Sequence, residues 1–189
     1  MEKASRDSWC EGKDLMNYSV IKKTDVADGP GVRVALFVSG CRHHCKGCFN
    51  AETWSFSYGR PYTEETTKEI LEALAPDYIR GITLLGGEPF EPENRPQLIA
   101  LLQKVREKLP KKDVWCYSGY TLDKDMTLWI RQGKEDVKQL LSLLDVLVDG
   151  EFVEARKDLK LKFKGSDNQR IIDVPASMEA GRVILKEHW

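Results

Sequence analysis

The chain has 189 residues, with 29 Lys+Arg against 30 Asp+Glu and a net charge of −1. That length suits one domain with a substantial core and is short for two. The near-neutral balance gives no electrostatic case for nucleic acid or an anionic membrane. The start lacks the apolar stretch of a secretory signal, and no apolar run reaches transmembrane length, so a cytoplasmic location is expected.

Residues 1–17 are polar and aperiodic and read as an N-terminal extension. Tyr18-Ser19-Val20-Ile21 reads as a short edge strand, and Asp28-Gly29-Pro30-Gly31 as a turn. The apolar run Val32–Val38 predicts a buried strand that ends at Ser39-Gly40, immediately before Cys41. Thr63 predicts the cap of a helix over 64–75 that buries Ile70, Leu71 and Leu74. Ile82–Leu85 is the next strand, closing at Gly86-Gly87-Glu88-Pro89. A helix over 95–109 presents Leu98, Leu101, Leu102, Val105 and Leu109 at helical spacing. Val114–Tyr117 is a third strand, followed by a helix over 134–143 with Val137, Leu140 and Leu141, then a strand Val146–Val148 closing at Asp149-Gly150. Beyond it, Glu151–Arg156 reads as helical, and Leu161–Lys164 and Arg170–Asp173 as short strands.

This alternation predicts an α/β fold with a mainly parallel sheet and right-handed crossovers. It has a consequence for position. The cysteines, Gly86–Pro89, Tyr117–Tyr120 and Asp149-Gly150 all follow strands, so they share the carboxyl edge, where such folds place their sites. A closed eight-fold barrel takes about 250 residues. This chain is expected to build an incomplete, TIM-like βα barrel, open on one side to a macromolecular substrate.

The chemistry centres on Cys41-Arg42-His43-His44-Cys45-Lys46-Gly47-Cys48. Three thiolates so close together suit an iron–sulfur cluster. Most cubane clusters take four cysteines, and no fourth lies nearby, so one iron would remain open for a ligand. The alternative is zinc on the same cysteines, with His43 or His44 as fourth ligand; otherwise the two histidines read as solvated loop residues. In a reducing compartment these cysteines are metal ligands rather than disulfides. Cys116 reads as a core residue, and Cys10 has no evident role.

Cys41-x3-Cys45-x2-Cys48 resembles the cluster loop of the radical S-adenosylmethionine (SAM) superfamily. Gly29-Pro30-Gly31-Val32-Arg33, Phe37 and Gly40-Cys41 resemble the signature of glycyl-radical activating enzymes. Asp145–Phe152 and Lys164–Arg170 narrow the likeness to the activating proteins of anaerobic ribonucleoside-triphosphate reductases. The resemblance implies a radical SAM activase domain over 18–189. It would carry a [4Fe–4S] cluster on Cys41, Cys45 and Cys48, with SAM on the fourth iron. It also implies reductive cleavage of SAM to a 5′-deoxyadenosyl radical, which takes hydrogen from a backbone glycine of the reductase. Gly47, Cys48, Phe49, Gly86, Gly87 and Glu88 are then the expected SAM contacts. In many such loops an aromatic residue precedes the third cysteine; here Gly47 stands there and Phe49 follows. Tyr117 and Tyr120 could line the pocket or be aromatic core, and Asp149 could bond SAM or the incoming peptide. Arg33 and Asp28 read as a salt-bridged brace. Lys160, Lys162 and Lys164 read as a solvated strand face or a dock for an acidic one-electron donor such as flavodoxin. Two other readings stay open: an activase of another glycyl-radical enzyme, and a non-enzymatic zinc or iron–sulfur module.

Overall fold

Neighbouring residues along a strand point to opposite faces of a sheet, and in this molecule the two faces have been given different work. A computed structural model describes residues 16–188. One seven-stranded sheet runs through it in the order β3-β1-β2-β4-β5-β6-β7. The strands are β1 (Asn17–Asp25), β2 (Val32–Val38), β3 (Arg60–Pro61), β4 (Ile79–Gly86), β5 (Asp113–Ser118), β6 (Val146–Asp149) and β7 (Arg170–Asp173). β2, β4, β5 and β6 are mutually parallel. β1 and β3 on one flank and β7 on the other pair antiparallel. The sheet is therefore mixed, with the expected parallel order confined to its centre.

The helices are α1 (Glu64–Leu74), α2 (Arg95–Lys108), α3 (Thr127–Arg131), α4 (Glu135–Ser142) and α5 (Val174–Ala180). Val34, Leu36, Ile82, Leu84, Val114, Cys116, Leu147 and Ile172 join Ile70, Leu98, Leu102, Leu140 and Val174 in one buried core. This is the helix-covered face, and Cys116 belongs to it as expected. The alternate residues Ala35, Phe37 and Leu85, and Trp115, Val146, Val148 and Ile171, form two smaller clusters on the other face.

Local signals explain most of the helix ends. The Thr63 hydroxyl accepts from the Thr66 N–H, while the Thr66 side chain accepts from the Thr63 N–H, closing a capping box on α1. Asp173 caps α5, with Pro175 in its first turn and Gly181 in the left-handed conformation at its end. The sequence reading missed α5, and also α3 with the π-helical turn Leu122–Met126 before it.

Three other expectations change. Residues 1–15 of the proposed extension, with Cys10, lie outside the described residues. Met16 is buried in the core and its carbonyl accepts from the Tyr62 N–H, and Asn17 already begins β1. Glu151–Arg156 contains only a 3-10 turn, Glu154–Arg156. Leu161–Lys164 is no strand but part of an irregular strap, residues 151–169, laid across the open face of the sheet.

Candidate functional site

β2 delivers the chain to the carboxyl edge of the sheet. At Gly40 φ is 95°, and a Cβ there would lie 2.2 Å from the Phe56 ring, so only glycine makes this turn. The Gly40 N–H donates to Thr53 O (2.8 Å) and the Cys41 N–H to Trp54 O (3.0 Å). Both bonds pin the loop start to the 3-10 turn Ala51–Trp54. The Arg42 N–H donates to Glu91 Oε1 (3.0 Å), and its guanidinium pairs with Glu91 and with Glu93 (2.5 Å). At the far end the Cys48 N–H donates to Cys45 O (3.1 Å).

Cys41, Cys45 and Cys48 line one cavity of about 430 Å³, together with Phe49, Gly86, Gly87 and Glu88. Burial pushes the Cys41 thiol up to about 12 and, with the charge of Glu151 beside it, the Cys45 thiol up to about 11. Thiolates at these positions call for a bound cation, whose arrival would release the protons. The three cysteines that line this one cavity are the donor set of an iron–sulfur cluster, in which each thiolate takes its own iron.

The glycines after β4 serve the protein first. A Cβ on Gly86 would lie 2.8 Å from Phe37 Cα, and one on Gly87 would lie 2.6 Å from Gly40 O. The Gly87 N–H donates to Val38 O (2.7 Å) and the Glu88 N–H to Gly40 O (2.8 Å), so this segment is stitched to the base of the cysteine loop. Glu88 is 1% exposed. Its carboxylate accepts from the Phe90 N–H, the Ser118 hydroxyl and the Gly119 N–H, each at 2.8 Å. The Glu88 side chain therefore holds the ends of β4 and β5 together, and a ligand would meet this segment through backbone. Gly47 turns the loop at φ 73° with its α-carbon against Glu154; it does not line the cavity.

Other expectations sort as follows. Tyr117 lines the cavity and its hydroxyl donates to Phe163 O of the strap (3.1 Å). Tyr120 packs between His43 and Trp129 as aromatic core. Asp149 is fully buried; both its oxygens accept from Arg170 and one also from the Leu122 N–H, which makes it a brace, and it is not among the residues that line the cavity. Arg33 is a brace too, but through Asp113 (2.6 Å), Thr83 Oγ1 (2.7 Å) and Ile82 O (2.9 Å) rather than through the Asp28 carboxylate. Asp28 lines the cavity, and burial together with the adjacent Asp25 charge raises it to about 6.

The two loop histidines part company. His44 is exposed and stacks on Trp54 (4.7 Å). His43 was expected to be solvated, yet its side chain is 14% exposed and its Nε2 lies 3.4 Å from Glu88 Oε2. Burial opposes a charge on it, but the Glu88 carboxylate and the further charges of Glu151 and Glu91 leave it raised. No local signal marked His43, because its partner stands 45 positions away in the chain. The strap was missed for the same reason. Phe152, Phe163 and Gln169 line the cavity from residues whose pattern shows no period.

The family profile described as a 4Fe-4S single cluster domain matches residues 27–172. The anaerobic ribonucleoside-triphosphate reductase-activating protein of Enterobacteria phage T4 is 41% identical over 158 residues, covering 82% of this chain and 93% of the relative. Its namesake in Vibrio cholerae is 43% identical over 158 residues, covering 82% and 97%. That of Escherichia coli (strain K12) is 40% identical over 156 residues, covering 82% and 96%.

Proposed function

The chain belongs to the family of anaerobic ribonucleoside-triphosphate reductase-activating proteins, and from that premise we propose that it is a radical SAM enzyme. Its product would be the glycyl radical of an anaerobic ribonucleoside-triphosphate reductase. The observation that carries this reading is the meeting of Cys41, Cys45, Cys48 and the Gly86–Glu88 segment around one cavity.

Cys41, Cys45 and Cys48 would hold three irons of a [4Fe–4S] cluster and leave the fourth to SAM. Bound there, cluster and SAM together supply the chemistry, an electron to the sulfonium that yields methionine and a 5′-deoxyadenosyl radical. The protein's part is orientation and exclusion of water. The Gly86–Gly87 backbone offers groups unshielded by side chains to the methionine end. Cys48 and Phe49 flank the same space. Phe37, Leu85 and Tyr117 wall the cavity with groups that admit little water, and the strap covers it. We read the helix-covered sheet with its bare inner face as a partial βα barrel of the radical SAM type, whose open side would admit the glycine-bearing segment of the reductase. The electron would come from a one-electron carrier such as flavodoxin.

Anaerobic reconstitution with iron and sulfide tests the proposal. Expected are about four irons per chain, a spectrum altered by SAM, 5′-deoxyadenosine formed on reduction, and a glycyl radical on the reductase by electron paramagnetic resonance. A reconstituted protein that binds iron but leaves SAM intact would refute it.

A further inference from the structure

His43 is the middle of the three residues between Cys41 and Cys45, in a loop otherwise rich in exposed side chains, and it is turned inward. Its ring packs at 4.2 Å against Tyr120. Gly119 leaves the room for it, because a Cβ at that position would lie 2.6 Å from His43 Cδ2 and Nε2. Gly119 does not carry the left-handed φ that would require glycine for conformational reasons, so space alone explains the residue. The buried Nε2 has no close hydrogen-bond partner and faces Glu88 Oε2 at 3.4 Å. Glu88 Oε2 already accepts from the Gly119 N–H, and a carboxylate oxygen has capacity for a second donor. One side chain thus touches the ends of β4 and β5 while its backbone lies between two of the three cysteines.

We propose that His43 is a positioning residue: through Glu88, Gly119 and Tyr120 it sets the cysteine loop at a fixed distance and angle from the Gly86–Glu88 segment. This rests on the reading above, in which the loop holds the cluster and that segment holds the methionine end of SAM. Electron transfer between the two depends on that spacing. The backbone bond from the Glu88 N–H to Gly40 O holds the base of the loop, before Cys41. Arg42 ties the loop to Glu91 and Glu93 beyond the segment, and His44 faces Trp54 on the other side. Among these three consecutive side chains, His43 is the one that reaches Glu88.

Two variants test it. His43→Phe keeps a ring against Tyr120 and removes the polar contact to Glu88; His43→Gln keeps an amide donor that reaches the place of Nε2. In the iron-free protein, hydrogen exchange across residues 41–48 is expected to quicken in His43→Phe and to stay near wild type in His43→Gln. In the reconstituted protein, His43→Phe should bind iron normally, raise the KM for SAM about tenfold in reductant-driven 5′-deoxyadenosine formation, and blunt the change that SAM produces in the cluster's paramagnetic resonance. His43→Gln should restore both to within about twofold. Wild-type exchange and KM in His43→Phe would overturn the proposal. So would equal losses in both variants, which would show that a donor facing Glu88 does not set the loop, or loss of iron binding, which would make His43 part of the cluster site itself. If the wild-type cluster ignores SAM, the functional reading fails, while the exchange comparison still decides whether the latch exists.

Discussion

The two faces of the sheet divide the labour of the molecule. The helix-covered face is apolar: Val34, Leu36, Ile82, Leu84, Val114, Cys116 and Leu147 pack in one cluster with apolar side chains from the helices. The bare face carries Lys22, Arg33, Thr83, Phe37 and Tyr117 among its residues, and it opens to the cavity. Because each strand supplies both faces, every second residue serves stability and every other serves the site. A change on one face should therefore move one property and spare the other.

The sharpest break of that comparison pairs two substitutions. Cys45→Ser removes a half-buried cavity thiol in the loop; it should abolish stable cluster loading, measured as iron and sulfide per chain, and shift the melting temperature of the iron-free protein little. Leu84→Ala deletes a fully buried side chain on the helix side. It should cost about 2–5 kcal/mol in urea unfolding and leave iron per folded chain unchanged. If Leu84→Ala emptied the cysteines while folded, or Cys45→Ser unfolded the chain, the division would fail.

Arg33 tests the rule, since it is a charged side chain on the bare face and yet is wholly buried. Its burial depresses its pKa, while Asp113 supports the charge. Removing one member of a buried charge pair leaves the other without compensation. Arg33→Met should therefore destabilise the protein by about 3 kcal/mol in equilibrium unfolding, an effect of core size from the site face. A cost below about 1 kcal/mol would show that Asp113, which is partly exposed and also meets Arg80 at 3.1 Å, needs no second partner.

The faces also explain which parts of the molecule were readable from the sequence. A buried central strand is a mainly apolar run, and Val32–Val38 and Ile82–Leu85 announced themselves that way, broken only by Arg33 and Thr83. Thr63 announced α1, and the cysteine spacing announced the site. The antiparallel flanks could not be read, because strand direction depends on partners far along the chain. α5 could have been found: Asp173 followed by Val174-Pro175 is a helix start, obscured by the strand Arg170–Asp173 that runs straight into it. The inner-face contacts were illegible for a different reason. His43 with Glu88, Arg33 with Asp113 and Asp149 with Arg170 are polar pairs separated by 21–80 positions, and such pairs leave no periodicity to detect.

A smaller effect comes from the acid pair Asp25 and Asp28, of which Asp28 lines the cavity. Burial and then the charge of Asp25 raise Asp28 to about 6, so the folded state binds a proton there more tightly than an unfolded chain with a pKa near 3.8. The stability this gives is present in acid and is lost as pH rises through about 6. Asp28→Asn abolishes the titration. Relative to the variant, the wild-type protein should lose on the order of 1–2 kcal/mol between pH 5 and pH 7, read from unfolding midpoints at each pH. Parallel pH curves for the two proteins would mean that Lys22, which lies 3.6 Å from Asp25, already compensates the pair.

The smallest expected effect concerns how the bare face is covered. The helix side is sealed by packed side chains, whereas the strap is held by scattered bonds, among them the Tyr117 hydroxyl to Phe163 O at 3.1 Å and the Gln169 amide to Gly150 O at 3.0 Å. Tyr117→Phe removes one such bond and leaves the ring. Global stability should fall by no more than about 1 kcal/mol, because the strap adds little to the core. Hydrogen exchange and proteolysis should change only across residues 157–165, where local opening becomes easier. If protection were lost on β5 and β6 as well, strap and sheet would unfold as one unit, and the cover would be as much a part of the core as the helices on the opposite side.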